Sequence, residues 1–390
     1  MKQLIFYYLS NVFILLPVAA VRPMMSLFAI ELGASMIEIG ILTACYSLTP
    51  LFLAVPAGRF IDQFGEKIPL LIGSLGITFA LIIPFFLPHL PFLFLSILLL
   101  GGSQFLAFIS IQNGVIKTTF IEKRNQAIAM VSLFGSVGLM LGPLIGGYST
   151  EHLGFQNSFL FYCIFSILLL FLVLFVKSVN RENVHKKNQT KQKVNDLLSI
   201  PGIKRNIIIS MLILASLDIF YVYYPLFASS KGLTPSEIGW ILSIQSFASV
   251  ITRLYLSKVV ERLGIIKTIF IFMFSGAIAY SLIPLFDFFI FVAVMAGIVG
   301  FGLGIVQPLT IMIAYNLAPS NRTAEVLGIR LAANRLSQVV IPLVFSVMSI
   351  SIGVGSIFVI QGIILGIGAI FAKGIKIEDK NEELIAVSKT

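Results

Sequence analysis

Long apolar runs separated by short polar punctuation set the pattern of this chain. Each run can cross a hydrocarbon core of about 30 Å, which takes about 20 helical residues. The runs fall at 4–30, 37–58, 69–89, 91–120, 126–150 and 157–177. After a polar stretch they resume at 206–229, 236–257, 265–286, 288–316, 323–350 and 354–373. The pattern predicts an all-α integral membrane protein with twelve transmembrane spans, several of them long enough to tilt or protrude. The first run also looks like a secretory signal peptide, with Lys2, an apolar stretch and the small residues of "VAAV". Because Met24–Ile30 prolongs that run and eleven more follow it, it is expected to remain as span 1.

The polar stretch marks the expected division of the chain: a six-helix bundle over 1–177, a basic linker over 178–205, a second six-helix bundle over 206–373 and a tail over 374–390. The Lys/Asn/Gln-rich start of the linker has a disordered composition, while "VNDLLSI" could form a short helix on the membrane surface. An offset of 199 residues relates the two halves. It sets "SLFA" at 26–29 on "PLFA" at 225–228, Gly33 on Gly232, and "EIG" at 38–40 on "EIG" at 237–239. It also pairs Asp62 with Glu261, Gly65 with Gly264, Pro143 with Pro342, Gly154 with Gly353 and Phe159 with Phe358. Chance matches between apolar helices do not keep register over such a length. Parallel six-helix repeats around a midplane site are a transporter architecture.

Composition agrees: 58% of residues are hydrophobic, 11% are charged and the mean hydropathy is +1.01. A soluble protein could not hide so much apolar surface, so the lipid bilayer is an expected partner. Of the 27 Lys and Arg residues, Arg22, Arg330 and Arg335 fall inside spans, and only Lys231 lies in a loop on the side reached after span 1. All the others are expected at the opposite surface or at helix ends facing it. The positive-inside rule then places both termini in the cytoplasm. The net charge of +10 is that edging, and it requires no nucleic acid. Cys45 and Cys163 lie within spans and form no disulfide framework, and the three histidines are scattered among loops without metal-site spacing. No phosphate-binding loop and no nucleophile–base set occurs, so neither ATP, a cofactor nor an enzymatic activity is expected.

The turn after span 2 reads "GRFIDQFGEK". It resembles the loop 2–3 signature of the major facilitator superfamily through Gly58, Asp62, Gly65 and Lys67, while Gln63 and Glu66 replace basic residues. Glycines there suit a tight turn and close helix approach, and the aspartate suits a neighbouring helix N-terminus. In the family this loop latches the two halves on the cytoplasmic side, so the two lost cations imply a weakened or rewired latch. "SKVVERLGIIK" at 257–267 is its degenerate copy. Span 5 carries "GLMLGPLIGG", with Gly138, Gly142, Pro143, Gly146 and Gly147. This resembles the signature of the family's drug or metabolite:proton antiporters, although small residues at such spacing also serve ordinary helix packing. Those exporters usually carry an arginine in span 4, four residues before a glycine; Ser110 occupies its place before Gly114. The resemblance therefore implies export but leaves its coupling chemistry open.

In that fold spans 1, 4, 7 and 10 line the central cavity, with 2, 5, 8 and 11 contributing. Polar residues concentrate in these spans: Asn11 and Arg22; Gln104, Gln112 and Asn113; Asp218 and Tyr221; Gln307; and Asn334, Arg335 and Gln338. Spans 3, 6, 9 and 12 hold no charge well inside them. The offset sets Arg22 against Tyr221, so Arg22 and Asp218 are expected at similar depths. Burial and a neighbouring arginine pull a carboxylate's proton affinity in opposite directions, so Asp218 could be a proton-coupling site; it could also contact substrate or form a static pair. Arg22 could grip an anionic group or serve as the counter-charge of Asp218. Arg330 is expected to snorkel to the interface or to assist the latch. The leading function is proton-coupled export of a small organic solute, an amphipathic drug or an anionic or zwitterionic metabolite, by a monomer in the plasma membrane. A proton-coupled symporter importing a nutrient is the alternative, ahead of a lipid flippase or a membrane receptor.

Overall fold

The computed structural model describes residues 2–120, 123–176, 194–319 and 322–375. The first half consists of α1 (Lys2–Glu31), α2 (Met36–Phe64), α3 (Lys67–Phe86), α4 (Leu90–Thr118) and α5 (Arg124–Leu174). α5 runs through both span 5 and span 6 and is broken only at Gly154, where φ is 78°. A short α6 (Val194–Leu198) precedes the second half. That half comprises α7 (Ile203–Ser230), α8 (Pro235–Leu254), α9 (Leu256–Leu263), α10 (Ile265–Leu282), α11 (Phe289–Leu317), α12 (Thr323–Ile352) and α13 (Val354–Ala372).

Ten of the described helices are long and apolar enough to cross a membrane. α5 contains two spans, and α8 with α9 forms span 8, so all twelve predicted spans have helical counterparts. α8 is less hydropathic because Ser243, Gln245, Ser246, Ser249 and Thr252 occupy its buried face. The single span expected at 236–257 is interrupted at Tyr255, where α8 ends and α9 begins. The start of the linker and the tail beyond residue 375 lie outside the described residues. The "VNDLLSI" stretch does contain a helix, α6, whose Leu197 is buried against Ile203, Ile207, Ala314 and Val326.

The 199-residue offset reappears in the backbone. Gly33 and Gly232 both have φ 85°, Gly65 and Gly264 have 75° and 74°, and Gly154 and Gly353 have 78° and 79°. These left-handed values close the turns at matching places, where a Cβ would be strained. Capping boxes also match: Ser35 with Glu38 opens α2, and Thr234 with Glu237 opens α8. Gly101 lets α4 approach the Tyr46 carbonyl of α2, and its mate Gly300 lets α11 approach the Gln245 carbonyl of α8.

Three helix pairs join the halves: α1 with α7, α2 with α12, and α5 with α8. At their closest points Ser26 faces the Val222 carbonyl, Gly40 faces Pro342 and Ser346, and Gly147 and Gly239 face Pro235 and Pro143. All these points lie toward the surface opposite the N-terminus. Toward the terminal surface the packing loosens: Gln126, Ile128, Ala129, Ser132 and Leu133 of α5 are exposed, whereas Gly142, Pro143, Gly146 and Gly147 are buried. The halves form a V that closes on the far side and opens on the side of the termini.

Candidate functional site

At the closed end of the V, Arg22 of α1 donates from Nη2 to Asp218 Oδ1 of α7 at 2.7 Å. Asp218 Oδ2 accepts from Gln338 Nε2 of α12 at 2.6 Å, and Gln338 Oε1 accepts from Arg335 Nη1 at 3.1 Å. One carboxylate thus ties a helix of the first half to two helices of the second. The Arg22 and Asp218 side chains are 16% and 7% exposed, so the pair is substantially desolvated and its charge-assisted bonds are correspondingly strong. The Arg22 guanidinium also lies 4.4 Å from the centre of the Tyr46 ring, a cation–π contact. The Tyr46 hydroxyl donates to Gln104 Oε1 at 3.3 Å. Tyr221 and Ser246 share a hydroxyl–hydroxyl bond of 2.7 Å.

Below this network lies a cavity of about 230 Å³, shared by both halves. Leu15, Val18, Leu139, Leu214, Leu217 and Val250 supply apolar walls. Arg22, Asp218, Gln245, Ser246, Arg253 and Gln307 supply the polar groups, and Gln338 and Tyr221 also reach it. Arg253 Nη2 donates to Gln307 Oε1 at 2.8 Å, and its Nε approaches the Gly304 carbonyl at 3.4 Å. The arrangement can hold a small organic molecule between a leucine-rich surface and fixed polar groups. Among the described residues, no cluster of His, Cys, Asp and Glu could hold a metal.

Of the sequence candidates, Arg22, Asp218, Tyr221, Gln307 and Gln338 line the cavity, and Gln104 supports it through Tyr46. Arg335 stands behind Gln338, with its guanidinium 5.8 Å from the centre of the Phe105 ring of α4. Asn11 is a correction: it is 1% exposed and donates to the Val131 carbonyl at 2.8 Å, joining α1 to α5 within the first half. Asn334 is likewise buried, 2% exposed, with both amide atoms unbonded among the described residues. Gln112 and Asn113 are half-buried on α4 and do not line the cavity. Arg330 does not snorkel; it is 4% exposed and donates to Thr310 Oγ1 at 2.9 Å, between α11 and α12.

The loop 2–3 residues behave differently from the expected latch. Gly65 makes the turn, but a Cβ at Gly58 would meet open space, and Asp62 is exposed. Lys67 donates to the Leu174 carbonyl at 3.1 Å, and buried Glu66 pairs with Lys117 at 3.4 Å, so both bind within the first half. The physical reason is the V itself, which parts the halves on this side. In span 5, Gly138, Gly142 and Gly146 let α1 lie directly on α5, whereas Pro143 and Gly147 meet α8 of the other half. The motif serves packing inside one half and closure between the two.

Sequence reasoning misses Tyr46, Gln245, Ser246 and Arg253, all of which line the cavity. Arg253 falls with the basic edging in the sequence because it stands near a span end. Its signal was present: Gln245, Ser246, Ser249, Thr252 and Arg253 form one polar stripe at helical spacing. Tyr46 offered no such pattern, although the offset makes it the mate of Gln245.

Two pseudo-symmetric helical bundles around a shared polar cavity at mid-depth are an architecture of membrane transporters. The sequence model of the Major Facilitator Superfamily matches residues 7–234 and 207–386. The chain belongs to that superfamily and is a multi-pass membrane transporter. It is 25% identical to Multidrug resistance protein 2 of Bacillus subtilis over 71% of this chain and 72% of that protein. It is 26% identical to Multidrug resistance protein MdtG of Klebsiella pneumoniae over 73% of this chain and 70% of that one. A solved D-xylose-proton symporter superimposes with a TM-score of 0.80 at 13% identity, covering 96% of this chain and 97% of the other, which is a likeness of fold.

Proposed function

We propose that the protein exports a small organic solute across the plasma membrane in exchange for protons, with both termini in the cytoplasm and Asp218 as the proton-carrying group. The observation that carries this reading is the position of Asp218. Among the described residues it is the one acid lining the cavity, and its two oxygens bind Arg22 of one half and Gln338 of the other. A proton on either oxygen weakens the acceptor that holds Arg22 and so loosens α1 from α7, where the halves meet. Asp218 takes up its proton while the far side is open and releases it on the terminal side, where the restored bond to Arg22 locks the far side shut; solute bound in the cavity loosens the same bond for the outward swing. Solute release outward and proton entry inward would alternate around the same carboxylate. The multidrug-resistance names of the relatives and the span 5 motif support export over import.

The test uses proteoliposomes with a trapped pH dye, challenged with anionic, zwitterionic and cationic solutes. Wild type should move protons opposite to the solute, and Asp218→Asn should abolish the proton signal. Proton and solute moving in the same direction would assign symport instead. Flux that persists in Asp218→Asn with its proton signal intact would remove Asp218 from the coupling role.

A further inference from the structure

Within the cavity, Arg22 and Asp218 cancel each other's charge. Arg253 is left over. Among the described residues its hydrogen-bond partners are both neutral, the Gln307 amide oxygen and the Gly304 carbonyl, and no carboxylate pairs with it. A guanidinium in a partly desolvated cavity without a counter-ion is an unfilled anion site, because burying a charge is costly unless it is paired.

The competing explanation is that Arg253 merely complements the carbonyl end of α8, where cations are favourable. Two features oppose it. Arg253 turns inward to α11, and it is steered there by close packing, since Gly304 leaves room for Ser249 where a Cβ would overlap. Its repeat mate is Ala54, and the mate of Gln307 is Phe108, so the fold does not require a cation or an amide at this place. The first half simply lacks the device.

We infer that Arg253, oriented by Gln307, receives the anionic head of an amphipathic organic monoanion, a carboxylate or sulfonate whose apolar body lies against Leu15, Val18, Leu139, Leu214 and Leu217. The inference rests on reading this cavity as the transport site and narrows its substrate class. Arg253 stands seven residues along α8 from Ser246, which bonds Tyr221 near the closed end. At about 1.5 Å per residue this allows roughly 10 Å for the apolar body, the length of a two-ring aromatic. The head then sits toward the open end of the V, and the body points at the Arg22–Asp218 pair.

The test compares three ligands of one shape: tritiated 2-naphthoate as probe, with 2-naphthamide and 2-naphthylmethylammonium as competitors, on the full chain in nanodiscs. Naphthoate should bind at least tenfold tighter than either competitor. Arg253→Gln should weaken naphthoate at least fivefold more than it weakens naphthamide, and Arg253→Lys should restore part of the difference. Equal or tighter binding of the ammonium or the amide overturns the inference, as does absent naphthoate binding or an Arg253→Gln effect that is the same for all three. Should Arg253→Gln fail to fold, the ranking on wild type and the effect of Gln307→Ala decide. Measuring the same binding on Asp218→Asn separates the two readings. Naphthoate binding without proton movement refutes proton export alone, whereas proton-coupled flux of cations with no anion preference refutes this site alone.

Discussion

Arg22 shows how a charge is kept inside a membrane protein. An arginine at the centre of a lone transmembrane helix costs about 2.5–3.5 kcal/mol on insertion scales. In the folded chain that cost is offset by the Asp218 carboxylate, by the Tyr46 ring and by a cavity open to one side. Removing one partner strands the other: breaking a fully buried pair costs about 3–5 kcal/mol, and residual exposure reduces this. A double-mutant cycle in detergent should therefore find Arg22→Gln and Asp218→Asn each destabilising, and the double variant less destabilised than their sum by about 1–2 kcal/mol. Strictly additive thermal unfolding would show the contact to be energetically idle. The equal depth of Arg22 and Asp218 was legible from the repeat offset, because register along two apolar helices is one-dimensional information. The fates of Asn11, Asn334 and Glu66 were not. Which way a polar side chain faces within a bundle depends on neighbours that sequence spacing does not reveal. Gln63 and Glu66 read alike as lost cations, yet Gln63 is exposed and Glu66 is buried against Lys117.

At the scale of elements, α5 separates stability from conformation. Gly142 faces α1 within its own half, and Gly147 faces Pro235 of α8 across the interface. Overpacking a helix contact costs about 1–3 kcal/mol. Gly142→Val should accordingly lower the unfolding temperature, whereas Gly147→Val should leave the halves folded and push their far ends apart. Spin labels at Leu153 and Trp240, in a background lacking Cys45 and Cys163, should report a longer and broader distance distribution for Gly147→Val alone. An unchanged distance would mean that this contact does not set closure. The same seam carries an acid that its repeat mate lacks. Glu151, beyond the end of span 5, accepts from the Ser236 N–H of α8 at 2.9 Å, while the equivalent position in the second half is Ile350. The Ser236 side chain and N–H, the Thr234 hydroxyl and the nearby His152 hold the Glu151 carboxyl below its usual range. Glu237, which caps the same helix start by accepting from the Thr234 N–H, is the other acid at this end. A depressed carboxylate contributes to closure above its ordinary pKa, and the contribution is lost as pH falls through the lowered value. The far-side distance should thus lengthen on acidification below about pH 4–5, and Glu151→Gln should remove that component while leaving any due to Asp218.

The whole molecule is a symmetric scaffold with asymmetric contents, and this explains what could be read from the chain. Helix positions, turn glycines and the two halves follow from hydrophobic period and repeat register, which are local or one-dimensional. The open side of the V follows from neither, since it depends on which of several closely balanced packings between two rigid halves prevails. The geometry nonetheless fixes a sharp expectation. Leu139 of the first half and Leu214 of the second both line the cavity, and the close contacts between halves at Ser26, Gly40, Gly147 and Gly239 lie toward the surface opposite the termini. Single cysteines at these two positions, with Cys45 and Cys163 replaced, should react with a membrane-impermeant maleimide at least tenfold faster from the terminal side than from the other. A tenfold ratio corresponds to a bias of about 1.4 kcal/mol between the two openings. Adding Gly147→Val should shrink or invert that ratio, because it raises the energy of the closed far side without touching either cysteine. Equal labelling from both faces in the parent protein would mean that the V is one of two equally populated states. A faster rate from the far face would mean that the resting molecule opens the other way, and that the contacts at Gly40, Gly147 and Gly239 belong to its minor conformation.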